Sequence, residues 1–215
     1  PPLSAFIIGV FGVGFAAEYL YIIFVSALFA YSSKLLAETI KVDKTLFYGL
    51  LLSPFVLNTG LSVGTELLYF SFLQLAIAYM FRPGHKSSVF IGLMCLTHYS
   101  SFIYTPLLFF KRNLKQILLS FLVIAVFFVP WLLYNFYFSG DPLTSIANTY
   151  AMNVKFREYI KMPFNVYDVL EVAGYYIILF AFGVYKLFSR RITKMDILMV
   201  GVLVLSLLSY YTIPI

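Results

Sequence analysis

Residues 85–113 read HKSSVFIGLMCLTHYSSFIYTPLLFFKRN, an apolar run closed at each end by a basic cluster. How this run meets a bilayer decides the fold. As one helix from Ser87 to Phe110, it puts Lys86 on one side of a membrane and Lys111 and Arg112 on the other. As a hairpin of two short helices, about 87–97 and 101–110, it returns the chain to the side it came from. Each arm, at 1.5 Å per residue, reaches about 15 Å, so the turn falls near the bilayer midplane. A turn at that depth cannot face lipid, because unsatisfied backbone groups are costly in hydrocarbon; it needs protein or a wet cavity beside it. The tip, Thr97 to Ser101 (THYSS), carries hydroxyls and an imidazole that can share hydrogen bonds with water.

Composition makes the bilayer the right reference. Of 215 residues, 62% are hydrophobic, 20% aromatic and only 11% charged, with mean hydropathy +0.92. A soluble globular chain carries roughly a quarter charged residues, so this is read as an all-α, polytopic integral membrane protein. The net charge of +6 is expected to report Lys and Arg in cytoplasmic loops, with no nucleic-acid partner. A single cysteine, Cys95, excludes a disulfide framework and zinc-ligand spacing. The chain opens on Pro1-Pro2 without a signal peptide and stops just after an apolar run. It is read as one transmembrane domain over 1–215, an internal fragment of a longer protein.

A span needs about 20 apolar residues, and cations favour the inner side. Apolar runs lie at about 16–33, 45–58, 62–81, 87–110, 116–135, 171–188 and 196–211. Between them sit KLLAETIKVDK, FRPGHK, KRNLKQ and KLFSRRITK, which hold twelve of the fifteen cations. A single span at 87–110 puts FRPGHK and KRNLKQ on opposite faces and destroys the bias; the hairpin restores it. The expectation is therefore about eight membrane helices including the hairpin, a helical outer loop at about 136–170, and Thr97 to Ser101 at the floor of a cavity open to the outside. The Gly-rich run Leu3 to Phe15 is too short to span and is expected to be re-entrant or interfacial.

The outer face then gathers six of the nine acids: Glu18, Glu66, Asp141, Glu158, Asp168 and Glu171. Glu66 opens an apolar run with no cation near it in sequence. Carboxylates at bilayer depth are expensive and tend to serve function; the plainer alternative is a helix-start acid favoured by the dipole. His98 can bind a phosphate or shuttle a proton, or serve the fold alone through a bond to a carbonyl. His85 is a solvated loop residue. Lys155, Arg157 and Lys161 suit a lipid phosphate, or form a solvated helix face paired with Glu158. GDP at Gly140 to Pro142 is first of all turn chemistry. GVGFAA at Gly12 to Ala17 imitates a dinucleotide fingerprint but lacks the strand-helix-strand unit that would use it.

Taken in order, PPLS, TELLYF, the hairpin IGLMCLTHYSSFIYTPLLFF and VPWLLYNFYFSGDPL resemble the membrane core of the GT-C glycosyltransferases, dolichyl-phosphate-mannose-protein mannosyltransferases and aminoarabinose transferases among them. The resemblance implies transfer of a sugar from a polyprenyl-phosphate donor to a hydroxyl of a lipid, glycan or protein acceptor at the outer face of a cell membrane, with inversion. It implies an outer carboxylate as general base and cations holding the departing phosphate. The family's principal acid precedes its PPL stretch and is expected upstream of residue 1. Glu66 matches the acid at the start of a later span and is the catalytic candidate. His98, Asp141, Lys155, Arg157 and Lys161 are the substrate-binding candidates. His98 stands where relatives often carry a basic residue, and Tyr210-Tyr211 where they commonly place an Arg before a Pro. Some members use a divalent cation, Mg or Mn, and others none, so the metal ligands are left open.

Two other readings use the same residues. A transporter or lipid-linked saccharide flippase would bind its substrate in transit, but such proteins usually show repeated halves, and none is visible here. A structural membrane subunit would need no wet cavity at the hairpin.

Overall fold

The computed structural model describes residues 2–41, 63–111, 113–160, 185 and 192–212. All regular structure among them is helical: α1 (Pro2–Phe11), α2 (Phe15–Ile40), α3 (Glu66–Tyr79), α4 (Lys86–Thr97), a 3-10 helix (Tyr99–Phe110), α5 (Leu114–Ser139), α6 (Thr144–Ile160) and α7 (Lys194–Thr212). Two of these, α2 and α5, are long and apolar enough to cross a membrane. At 26 residues each they extend about 39 Å, against a hydrocarbon core of about 30 Å. Of the expected eight membrane helices, two of spanning length stand among the described residues. The runs at 45–58 and 171–188 lie outside the described residues, and α1, α3 and α4 are 10, 14 and 12 residues long.

The chain divides into two compact units, Pro1–Ile146 and Ala147–Ile215. In the first, α3 is the centre, packed against both α2 and α4. Its sequence ELLYFSFLQLAIAY is apolar on every face, and a helix of that kind belongs in a core. Leu68 and Ala76 are fully covered. α2 and α3 run in the same direction and are joined along their length. Tyr21 Oη donates to the Gly64 carbonyl (2.8 Å), and Ser32 and Ser33 Oγ donate to Gln74 Oε1 (2.6 and 2.9 Å). At the far end Arg82 Nη2 donates to Thr39 Oγ1 (3.3 Å). A polar amide among apolar helices must find such partners. α4 packs on α5 as well, with Phe127 against Gly92 so closely that a Cβ there would lie 3.1 Å from its ring. The turn from α1 into α2 passes through Gly12 and Gly14, at φ 109° and 86°, values closed to most side chains.

The decisive stretch is a hairpin. α4 ends at Thr97, His98 is extended (φ −149°, ψ 118°), and the second arm begins at Tyr99. The far ends of the two arms meet: Lys111 Nζ donates to the Gly84 carbonyl (3.0 Å), and the Phe81 and Phe110 rings stand edge to face 6.4 Å apart. FRPGHK and the start of KRNLKQ therefore share one end of the unit, and the Arg82–Thr39 bond brings the end of α2 to them. The second arm departs from the α-helix expected over 101–110. It is a 12-residue 3-10 helix containing Pro106, whose missing N–H and ring oppose α-helical hydrogen bonding. At about 2.0 Å per residue it is the longer arm. Tyr99 and Phe102 pack on Phe128, about 21 Å along α5 from Leu114. The tip thus lies deeper than the roughly 15 Å expected for two α-helical arms.

In the second unit α7 opens with a reciprocal cap. Asp196 Oδ2 accepts from the Thr193 amide (2.8 Å) and hydroxyl (2.7 Å), and the Asp196 amide donates back to Thr193 Oγ1 (3.2 Å). This is the capping-box arrangement, with Asp in place of Glu. The expected outer loop contains α6, as a helix from Thr144 to Ile160.

Candidate functional site

The end of the first unit opposite the basic loops carries the first two candidates. Glu66 is the first residue of α3 and is exposed. The preceding loop is pinned by the Tyr21–Gly64 bond, and the Tyr69 amide donates to the Thr65 carbonyl (2.8 Å) to start the helix. A carboxylate at this position faces the positive end of the helix dipole. One turn on, the Tyr69 ring packs against His98 at the hairpin tip (centroids 5.9 Å) and against Tyr104 (6.2 Å). Glu66 lies close enough to both His98 and Tyr21 to act on them electrostatically.

His98 is half-buried, and its Nδ1 shares a 2.6 Å hydrogen bond with Ser100 Oγ. That bond fixes the ring and leaves Nε2 as its remaining polar atom. The hairpin break creates the arrangement: an uninterrupted helix would carry His98 within its regular turns, whereas the extended residue swings the two arms apart at a polar tip. Glu66 and His98 thus bring a carboxylate and an imidazole to the same end of the unit, linked through the Tyr69 ring, and groups of these two kinds can move a proton or steady a phosphate.

Asp141 lies in the turn between α5 and α6. Gly140, at φ 75°, closes α5 through its amide to the Phe136 carbonyl (2.9 Å). Asp141 Oδ1 then accepts from the Leu143 amide (2.9 Å), an Asx turn. Asn135 ties this turn down, donating to the Pro142 carbonyl (3.1 Å) and accepting from Ser145 Oγ (2.7 Å). The Tyr99 phenol at the hairpin tip lies beside Ser145 and Trp131, so turn and tip occupy the same end of the unit. Lys155 and Arg157 lie in the second unit on α6, where the Lys155 side chain is exposed. Lys161 falls outside the described residues.

Among the described residues no three His, Cys, Asp or Glu side chains gather to hold a metal ion. Sequence reasoning missed Tyr21, Tyr69 and Ser100, which position the pair. The available signals were the i, i+3 relation of Tyr69 to Glu66, which puts both on one face of a helix, and the serine two residues past His98. By fold, the described residues are all-helical in their regular structure, with two helices of membrane-spanning length and, between them in sequence, a broken hairpin. No known protein family, curated protein or solved structure matches it.

Proposed function

We propose that this chain is the membrane core of a GT-C-type glycosyltransferase, a multi-pass protein that moves a sugar from a polyprenyl-phosphate donor to an acceptor hydroxyl at the outer face. The observation that carries the reading is that Glu66, opening α3, and His98, at the hairpin tip, share the end of the first unit opposite its basic loops, with the Tyr69 ring one turn from Glu66 packed on His98. The sided charge supports the orientation. So do the aliphatic side chains that α2 and α5 turn outward, Ile23, Leu118, Leu122, Val126 and Leu133 among them, which suit hydrocarbon. Trp131, Tyr134 and Phe138, in successive ring contact along the last turns of α5, have the character of an interfacial aromatic belt.

In this reaction Glu66 takes the proton of the acceptor hydroxyl as its oxygen attacks the anomeric carbon. The bond from that carbon to the donor's phosphate oxygen breaks, the phosphate leaves with the electron pair, and the configuration inverts. His98, held by Ser100 and Tyr69, donates to the phosphate as its charge grows. Lys155, Arg157 and Lys161 are the cations the resemblance implies for a lipid phosphate, and their part is tested separately by substitution to Gln. The test of the whole reading is incubation of the reconstituted protein with a panel of polyprenyl-phosphate sugars, scored for release of lipid phosphate. Release from at least one donor is expected. Release from none, with flipping of the same lipids across vesicles, would favour the transporter reading instead.

A further inference from the structure

The basic end of the first unit holds a second polar cluster, remote from Glu66 and His98. Arg82 and Lys86 both stand over the Tyr79 ring, at 5.0 and 5.2 Å from its centroid, and that ring is backed by Phe90 (5.8 Å, stacked). Two like charges on one aromatic ring repel each other, and among the described residues no carboxylate pairs with either. Between them in sequence, the Gly84 carbonyl takes the ammonium of Lys111. Lys111 is only 7% exposed, and among the described residues a single neutral carbonyl meets one of its three donors. A buried ammonium without a counter-charge is costly.

The same loop leads into the N-terminus of α4, whose cap residue His85 makes no side-chain capping bond. The hydroxyls of Ser87 and Ser88, in the first turn, are buried without a hydrogen-bond partner, as is His85 Nδ1. Unmet donors, a helix N-terminus and three cations in one place have the chemistry of an anion site.

We propose that Arg82, Lys86 and Lys111, with the first turn of α4, bind a phosphate group, and that the aromatic backing of Tyr79 and Phe90 holds the two exposed cations towards it. At the rim of a membrane unit that phosphate comes from an anionic lipid headgroup of the leaflet facing this end, or from a soluble phosphate with the same charge and oxygens. The site is independent of the sugar-transfer reading, since it lies at the other end of α4.

The experiment uses the full chain in phosphatidylcholine–phosphatidylglycerol vesicles and compares spin-labelled forms of the two lipids in the shell around the protein. Wild type is expected to enrich phosphatidylglycerol. R82Q/K86Q is expected to lose that enrichment by roughly fivefold per cation removed, from about 1 kcal/mol for each cation near an anionic surface. R82K/K86R keeps the charges and should keep the enrichment, which separates loss of charge from loss of fold. A second arm adds inorganic phosphate. If it displaces the lipid, or raises the unfolding temperature of wild type but not of R82Q/K86Q, the site takes soluble phosphate too. If it does neither while enrichment persists, the lipid is the source. Equal enrichment in wild type and R82Q/K86Q, or no response of wild type to either probe, overturns the proposal.

Discussion

Glu66 and Lys111 are ionisable residues placed at opposite ends of one unit, and their surroundings ask opposite things of them. Glu66 is exposed at the start of α3, at the same end of the unit as His98, where a carboxylate has access to an incoming hydroxyl. Glu66→Gln keeps the shape and removes the base. It is expected to lower release of lipid phosphate about 10²–10⁴-fold with expression and unfolding temperature unchanged; unaltered turnover would take Glu66 out of the reaction. Lys111 is buried, and desolvation holds its pKa below the ordinary 10.5. The unfolded chain therefore binds this proton more tightly than the folded one. The penalty is full below the lowered value and is relieved as pH rises from there towards 10.5, so this group makes stability climb with pH over that window. Thermal unfolding in detergent should show the climb in wild type and a flatter profile in Lys111→Met; parallel profiles would count against the burial. Glu66 and His98 could be found in the sequence because ionisable groups stand out in apolar runs. Tyr21 could not, because the chain has 18 tyrosines and only tertiary contact distinguishes it; Tyr69 was marked by nothing more than its i, i+3 spacing from Glu66.

At the scale of elements, the hairpin was legible because charge, unlike hydropathy, has a side. Two basic clusters about 25 residues apart on the same side of a bilayer allow a turn back and forbid a single crossing. The helix type of the second arm was harder to read. Pro106 was visible, but the spacing of the clusters is satisfied equally by an α or a 3-10 arm, and the choice follows from how Tyr99, Phe102 and Phe109 pack against α5. Gly92 was invisible as well: a glycine in an apolar run signals close approach only once the partner is known. With Phe127 at 3.1 Å from the place of a Cβ, Gly92→Val must push α4 and α5 apart, at about 1–3 kcal/mol for an overpacked core. Cys95, three residues on, is the only cysteine and is fully buried, so its alkylation reports opening of this contact. The expected outcome is alkylation faster by about fivefold or more, since 1.4 kcal/mol is a factor of ten in an opening equilibrium. An unchanged rate would mean that Phe127 moves aside without loosening the pair.

For the molecule as a whole, hydropathy registers removal from water without saying what does the removing. The run at 62–81 has the composition of a membrane span, yet its helix is 14 residues long and most of its surface is covered by α2 and α4. Its neighbours are protein helices, and protein and lipid are both apolar. The distribution of cations is free of that ambiguity, and it points to one basic end made of Thr39, Arg82, Gly84 and Lys111 in contact. The opposite end holds Glu66, His98 and the Asp141 turn. If the basic end faces the cell interior, accessibility to impermeant reagents must differ between two residues only one helix apart. Pro83, exposed in the basic loop, and Ser100, half-buried at the hairpin tip, flank α4 on either side. In a Cys95→Ala background, Ser100→Cys should react with a membrane-impermeant maleimide added outside sealed cells or right-side-out vesicles. Pro83→Cys should react only after the membrane is opened or inverted. Ser100→Cys paired with Glu66→Gln serves as a control, because removing the base should leave the labelling side alone. Reaction of both cysteines from the same side would mean that α4 lies along the membrane surface, and the sidedness on which sugar transfer at the outer face depends would be lost with it.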